Sequence, residues 1–186
     1  MKILLTGATG YIGKRILPLL INKGHHVVCC VRDKSRFNPP TSLIANISII
    51  EVDLLDQSSL QNIPNDIDIA YYLVHSMSVS DNYKLLEQES AINFQKTLSN
   101  TNVEQVIYLS GIVNESGLSK HLSSRKTVED ELSKGSYHLT TFRAGIIVGS
   151  GSASFEIMRD LVEKLPVMIT PKWLLTKCQP IGISDV

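Results

Sequence analysis

MKILLTGATGYIGKR, residues 1–15, joins an apolar run, a glycine turn and the start of a helix. The run from Lys2 to Thr6 has the length and apolar character of a parallel strand buried on both faces. Gly7, Gly10 and Gly13 follow at three-residue spacing, which allows a tight turn and a close approach of the backbone to a ligand. The free N–H groups at the start of the helix favour an anion there. The stretch therefore predicts a strand, turn and helix that bind the pyrophosphate of a dinucleotide.

The composition is that of one globular domain spanning residues 1–186. Of the 186 residues, 43% are hydrophobic, and the formal net charge is zero. No run approaches the ~18 apolar residues of a membrane span, and the N-terminus lacks the basic lead of a signal peptide, so we expect no membrane segment and a cytoplasmic location. The balanced charge argues against direct binding of nucleic acid, but it leaves a regulatory role through protein partners open.

The cysteines predict neither a metal site nor a disulfide framework. Cys29, Cys30 and Cys178 are an odd number, and their spacing is not that of metal ligands. We expect small apolar core residues in a reducing compartment.

Strand and helix patterns alternate along the chain. Strands are predicted at 2–6, 25–31, 47–52, 66–74, 103–109 and 137–143. Helices are predicted at 11–23, 57–61, 81–100, 120–134 and 155–164, before a tail that its prolines make irregular. This alternation predicts an α/β fold of the Rossmann type, a doubly wound parallel sheet with helices on both faces.

The residues after the second strand bear on the choice of dinucleotide. In this fold the adenosine ribose lies at the end of that strand, where an acidic residue accepts hydrogen bonds from a free 2′-hydroxyl. Here Arg32 comes first, with Lys34 and Arg36 behind it, and these cations suit a 2′-phosphate. NADP(H) is therefore favoured, whereas Asp33 keeps NAD(H) possible. A solvated basic loop is the alternative interpretation.

Several motifs are similar to those of one superfamily. Four of them together resemble the extended and atypical branch of the short-chain dehydrogenase/reductase (SDR) superfamily: TGATGYIG at 6–13, VRD at 31–33, DL at 53–54 and LSG at 109–111. Others are similar to NmrA-like NAD(P)H-binding proteins, often labelled nucleoside-diphosphate-sugar epimerases: AYYLVHSM at 70–77, GSGSASF at 149–155, PVMITPKW at 166–173 and CQPI at 178–181. The resemblance covers essentially the whole chain and implies a nicotinamide dinucleotide and a small-molecule substrate.

The resemblance also implies which residues contact the cofactor. The glycine turn would hold the pyrophosphate, Asp53 would take the adenine, and residues 73–75 would flank a ribose. The full implied set is Gly7, Thr9, Gly10, Tyr11, Ile12, Gly13, Arg32, Asp33, Arg36, Asp53, Leu54, Leu73, Val74, His75, Ser110, Arg125 and Arg143. For Arg143 a structural salt bridge is the alternative.

Catalytic members of the superfamily carry an apparatus that this chain has only in part. They place a tyrosine and a lysine one helical turn apart, facing the nicotinamide, and a serine at the end of the fifth strand polarises the substrate oxygen. Ser110 matches that serine, but His121 and Arg125 stand where the tyrosine and lysine belong. An imidazole, with an unperturbed pKa of about 6.5, could move a proton, whereas arginine could hold a ribose or phosphate but not act as an acid. Ser110 and His121 are thus the candidate catalytic residues, and a capping or surface histidine is the alternative for His121.

Two functions remain open from the sequence. One is an NADP(H)-binding oxidoreductase-like domain, of reductase or epimerase type, that acts on an unidentified small molecule. The other is a catalytically silent NADP(H)-responsive regulator or assembly factor. Extended relatives add a C-terminal substrate-binding portion after a segment like QPIGISDV at 179–186, so we expect this chain to lack that portion. The helix at 81–100 occupies the place where extended relatives dimerise, which makes a homodimer a further hypothesis.

Overall fold

The structure, a computed structural model, describes residues 1–75, 82–112, 120–165 and 177–186. The last two residues of the motif at 70–77, Ser76 and Met77, lie outside the described residues. So do the motif at 166–173 and the side chain of His121. The chain divides into two compact units, Met1–Phe142 and Arg143–Val186.

Six parallel strands form the main sheet. They are β1 (Lys2–Thr6), β2 (His26–Val31), β3 (Ile47–Glu51), β4 (Ile69–Tyr72), β5 (Gln105–Gly111) and β6 (His138–Ala144). Their order is β3-β2-β1-β4-β5-β6, so the chain runs outward from β1 to one edge and then crosses to β4 on the other side. Leu4 of β1 pairs with Val28 of β2 on one side and with Ala70 of β4 on the other. The predicted doubly wound sheet is confirmed, and its topological switch point lies between β1 and β4.

Helices cover both faces of this sheet. They are α1 (Tyr11–Asn22), α2 (Tyr83–Leu98) and α3 (Lys120–Leu132). Successive side chains of a strand point to opposite faces, and β1 follows this rule. Ile3 and Leu5 join the core that contains Leu17 of α1. Leu4 joins the opposite core, which is completed by residues of α2 and α3 such as Phe94 and Val128.

The shorter elements depart from the sequence prediction. The fourth strand is confined to Ile69–Tyr72, and the predicted short helix is a 3-10 turn at Ser59–Asn62. In the second unit β7 (Ile146–Val148) pairs in parallel with β8 (Pro180–Gly182), and α4 (Ala153–Lys164) lies between them in sequence. The expectation of an irregular tail is therefore wrong at Pro180–Gly182. A proline without an N–H is tolerated as the first residue of a strand, which is its place here.

Candidate functional site

The glycine turn between β1 and α1 leaves main-chain donors without a capping side chain. Gly7 has a φ of +69°, in the left-handed region that favours glycine. The Gly10 amide donates to the Gly7 carbonyl oxygen at 2.9 Å, and the Lys14 amide then donates to the Gly10 carbonyl oxygen at 3.0 Å as the first bond of α1. Gly10 is the N-cap and makes no side-chain cap hydrogen bond. The first-turn amides of α1 are thus directed at a position suited to an anion.

Close backbone packing excludes side chains from this turn. A Cβ atom on Gly7 would lie 2.7 Å from the Leu73 carbonyl oxygen. A Cβ atom on Gly13 would overlap the Gly7 carbonyl oxygen and lie 2.8 Å from the Ala8 Cα atom. The ends of β1 and β4 and the start of α1 therefore meet main chain to main chain. This bare cradle fits the pyrophosphate of a dinucleotide, which needs a close approach to backbone amides.

Thr6 ties the two strands together at the switch point. Its side chain is 1% exposed, and Oγ1 donates to the Tyr71 carbonyl oxygen at 2.9 Å and accepts from the Leu73 amide at 3.1 Å. The structure thereby brings Leu73 beside the glycine turn, followed by half-buried Val74 and exposed His75. No role of its own was predicted for Thr6 from the sequence. The available signal was a polar residue at the end of an otherwise apolar buried strand.

Tyr11 presents a buried hydroxyl next to the turn. Among the described residues its hydroxyl oxygen has no hydrogen-bond partner although it is out of contact with solvent. The Arg15 guanidinium carbon lies 4.4 Å from the centroid of the Tyr11 ring, within the range of a cation–π contact. Thr9 is exposed and Ile12 is half-buried.

The loop after β2 commits Asp33 to local contacts. Asp33 Oδ1 accepts from the Ser35 amide at 2.9 Å and from the Ser35 hydroxyl at 2.5 Å, and Oδ2 lies 3.4 Å from Arg36 Nε. The hydrogen bonds from Ser35, aided by the nearby Arg36 charge, lower the pKa of Asp33. Arg32 is exposed, and within the described parts of the chain its guanidinium has no ion-pair partner.

Asp53 and Leu54 follow β3 at the same edge of the sheet. Asp53 is half-buried, and its Oδ1 accepts from the Leu55 amide at 3.0 Å. Leu54 is buried, and its carbonyl oxygen accepts from Asn93 Nδ2 at 2.9 Å. These contacts hold the backbone beside Asp53 and leave one of its carboxylate oxygens for another donor.

The end of β5 meets α3 at the other side of the switch point. Ser110 is 2% exposed, and its hydroxyl has no hydrogen-bond partner in the described ranges. Arg125 Nη1 donates to the Leu109 carbonyl oxygen at 3.4 Å, and the Tyr108 hydroxyl donates to the Arg125 carbonyl oxygen at 3.3 Å. The structure thus brings Ser110 and Arg125 to one place. A buried hydroxyl without a hydrogen-bond partner is uncommon in folded proteins.

The pKa of Tyr108 responds to the groups at the end of β5. Burial raises its pKa, whereas the Arg125 guanidinium and the Ser110 hydroxyl act in the opposite direction. Ser110 is near enough to exert this influence, but the two hydroxyls are not in hydrogen-bond geometry. Tyr108 is 3% exposed, so it serves the packing of α3 on β5.

Arg143 is an exposed residue at the start of the second unit, and its predicted contact with the cofactor stays a prediction. In the described part of the chain, no group of His, Cys, Asp and Glu side chains could hold a metal ion. Nor does any described helix have the length and apolar character to cross a membrane.

Comparison with known proteins places the chain in one broad group. Residues 3–129 match the model of a family described as NAD dependent epimerase/dehydratase. An isoflavone reductase homolog from Zea mays is 28% identical over 92 residues, which are 46% of this chain and 30% of the relative. A chloroplastic divinyl chlorophyllide a 8-vinyl-reductase from Cucumis sativus is 24% identical over the whole chain and 47% of its own length. The chain therefore spans half or less of the length of these curated relatives.

Solved structures show the same fold. A UDP-glucuronic acid 4-epimerase variant from Bacillus cereus, in complex with a fluorinated substrate analogue and NAD, aligns with a TM-score of 0.74 at 21% identity. The alignment covers 100% of this chain and 70% of that one. Triphenylmethane reductase from Citrobacter sp., complexed with NADP(H), aligns with a TM-score of 0.67 at 18% identity over 80% of this chain and 50% of that one.

Proposed function

This chain belongs to the NAD dependent epimerase/dehydratase family, within the extended SDR superfamily, and we propose that it is an NADP(H)-binding oxidoreductase-like domain of the atypical type. Its substrate is an unidentified small molecule. The observation that carries the proposal is the bare main-chain cradle at the switch point, where a Cβ atom on Gly7 would lie 2.7 Å from the Leu73 carbonyl oxygen. The close main-chain packing at Gly7 and Gly13 holds the uncapped first-turn amides of α1 beside the ends of β1 and β4, where a pyrophosphate can reach them.

The described residues have complementary roles in this proposal. The first-turn amides of α1 bind the pyrophosphate, Asp53 binds the adenine, and Leu73 flanks a ribose. NADP(H), when bound, supplies the hydride chemistry. The buried Ser110 hydroxyl donates to the substrate oxygen, and Arg125 holds a ribose or phosphate. His121 is the proposed proton donor.

The loop after β2 supports NADP(H) over NAD(H). A 2′-hydroxyl needs a free acidic acceptor, but the Asp33 carboxylate is bound by Ser35 and Arg36. Arg32, next to it, is exposed and suits the two negative charges of a 2′-phosphate. The solved structures include complexes with NAD and with NADP(H), so the loop itself supplies the argument.

Two free thiols support the cytoplasmic location that the composition predicts. Cys29 and Cys30 are both buried in β2, and burial raises the pKa of Cys29 to about 12. Such thiols are inert core residues, typical of a reducing compartment. Cys178 is exposed, so the expectation of a core residue is wrong for this cysteine.

A regulatory function is the second candidate. The catalytic tyrosine and lysine are replaced by His121 and Arg125, and the Arg125 guanidinium already contacts the Leu109 carbonyl oxygen. In this alternative the dinucleotide binds in the same place and changes the affinity for a partner instead of reacting.

Binding and turnover measured together test the proposal. NADPH and NADH are titrated by fluorescence, and NADPH oxidation is followed against a panel of carbonyl compounds with the full-length gene product. We expect tighter binding of NADPH, and turnover that His121→Ala abolishes while the matched control His138→Ala, at an exposed position of β6, retains it. Tight binding without any turnover would favour the regulator, and no binding of either nucleotide would refute both functions.

A further inference from the structure

We propose that Glu87 is a positioning residue, which holds α3 through Ser124 so that Arg125 meets the nicotinamide half of the dinucleotide. This inference rests on the proposed function. In the observed sheet order the adenosine half extends from the switch point over β2 and β3, so the nicotinamide half extends over β4 and β5. The end of β5 is where α3 brings Arg125.

The contact between Glu87 and Ser124 is buried. Glu87 of α2 is 8% exposed and Ser124 of α3 is 1% exposed, and the Ser124 hydroxyl donates a short hydrogen bond to Glu87 Oε2. A carboxylate is costly to bury, and its hydrogen-bond partners are therefore held in specific positions. An apolar pair would pack two helices at a smaller cost, so the carboxylate is better explained by the geometry that it imposes.

Two buried tyrosines of the sheet lie near enough to Glu87 to be influenced by its charge. Tyr72 of β4 packs edge-on against Phe94 of α2 and Tyr108 of β5, with ring centroids 5.0 and 5.9 Å apart. Burial raises the pKa values of Tyr72 and Tyr108, and the Glu87 charge adds to both shifts. The carboxylate thus lies within the layer that joins α2, α3 and the centre of the sheet.

Ser124 precedes Arg125 in α3. Contacts of Arg125 and of Leu122, three residues before it, hold this part of α3 against β5. The Tyr108 hydroxyl holds the Arg125 carbonyl oxygen, and the Arg125 guanidinium reaches the Leu109 carbonyl oxygen. One turn earlier, Leu122 lies so close to β5 that a Cβ atom on Gly111 would be 2.8 Å from its Cδ2 atom. With Glu87 holding Ser124 from α2, a displacement of this contact changes the position of Arg125 directly.

Affinities for two ligands distinguish a positioning role of Glu87 from a general effect on stability. NADPH reports both halves of the site, whereas 2′,5′-ADP reports the adenosine half alone, and calorimetry gives both affinities. We expect Glu87→Leu and the milder Ser124→Ala to lower the affinity for NADPH about five- to tenfold. The affinity for 2′,5′-ADP should fall less than about twofold. Glu87→Gln keeps an acceptor for Ser124 and should restore most of the NADPH affinity. Gln88→Ala removes a different α2–α3 hydrogen bond, to Glu131, and as the matched control should leave both ligands unchanged.

A double-mutant cycle with Arg125→Ala completes the test. Since Glu87 acts through Arg125, Glu87→Leu should cost little further NADPH affinity once Arg125 is removed. The inference would be overturned if the losses of NADPH affinity in the cycle were additive, or if the affinities for NADPH and 2′,5′-ADP fell equally. It would also be overturned if Arg125→Ala bound NADPH normally. A wild-type chain that fails to bind NADPH would overturn the proposed function as well. Normal NADPH binding by Ser124→Ala would overturn the positioning role alone.

Discussion

Gly13 lies where the structure leaves no room for a single added methyl group. Alanine is favoured over glycine inside a helix by about 1 kcal/mol. A Cβ atom here would overlap the Gly7 carbonyl oxygen, a backbone atom that no change of rotamer can move, and overpacking costs about 1–3 kcal/mol or more. We therefore expect Gly13→Ala to destabilise the protein by about 1–2 kcal/mol and to weaken NADPH at least about tenfold, measured by urea unfolding and calorimetry.

Gly10→Ala is the matched control for this substitution. Its φ of −77° suits any residue, and the nearest atom to an added Cβ is the Gly7 carbonyl oxygen at 3.1 Å. We expect the free energy of unfolding of Gly10→Ala to lie within about 0.5 kcal/mol of the wild-type value. Equal stability of the Gly13 variant and the wild type would contradict the close packing described here.

Arg32 tests the choice of dinucleotide. A charge-assisted hydrogen bond contributes about 1.5–3 kcal/mol, so Arg32→Ala should weaken NADPH by about ten- to a hundredfold. The affinity for NADH, which has no 2′-phosphate, should fall less than about twofold. Lys34→Ala, two residues further along the same exposed loop, should cost less NADPH affinity than Arg32→Ala. Equal losses of NADPH and NADH in Arg32→Ala would remove the basis for preferring NADP(H).

At the scale of secondary structure, the helix pair α2–α3 carries a carboxylate sensitive to acid. Glu131 Oε1 accepts from Gln88 Nε2 at 2.8 Å, and Oε2 pairs with Lys134. These contacts, that of Lys134 first, lower the pKa of Glu131 below its ordinary value of 4.5. The carboxylate therefore stabilises the folded state fully above its unfolded-state pKa, and this stabilisation is lost as the pH falls through the lower folded-state pKa.

Glu131→Gln should consequently flatten the acid side of the stability profile. Urea unfolding at about pH 6 and about pH 3 should show a smaller loss of stability for this variant than for the wild type. Glu89→Gln removes an exposed carboxylate of α2 and is the control, with a loss like that of the wild type. A Glu131→Gln profile parallel to that of the wild type would show that the contact adds nothing to stability.

The elements were predictable where a long pattern specified them. The apolar runs of β1 and β2 and the turn at Gly7 follow from local rules, since a buried parallel strand needs an unbroken apolar stretch. β7 and β8 were not predictable, because a strand from Ile146 to Val148 is too short to show a period and its partner lies far along the chain. The Glu87–Ser124 contact joins residues of two helices, and a buried glutamate has no signature in the sequence.

At the scale of the whole molecule, the order of the strands determines where a ligand can bind. Alternating strands and helices with right-handed crossovers leave few topologies, and the observed order creates a crevice beside β1 and β4. The glycines at the end of β1 indicated this crevice from the sequence alone. The commitment of Asp33 to Ser35 was not predictable, because it depends on how an exposed loop folds back on itself.

The most direct test of the account is a titration of the ¹⁵N-labelled chain with NADPH, followed by backbone amide chemical shifts. We expect the largest shifts at the amides of Gly7 to Gly13, with further shifts at Arg32 and Leu73. Because the first-turn amides of α1 bind the pyrophosphate directly, their shifts should saturate together with the binding curve. Unchanged amides at Gly7 to Gly13 under saturating NADPH would contradict the claim that this turn holds a dinucleotide.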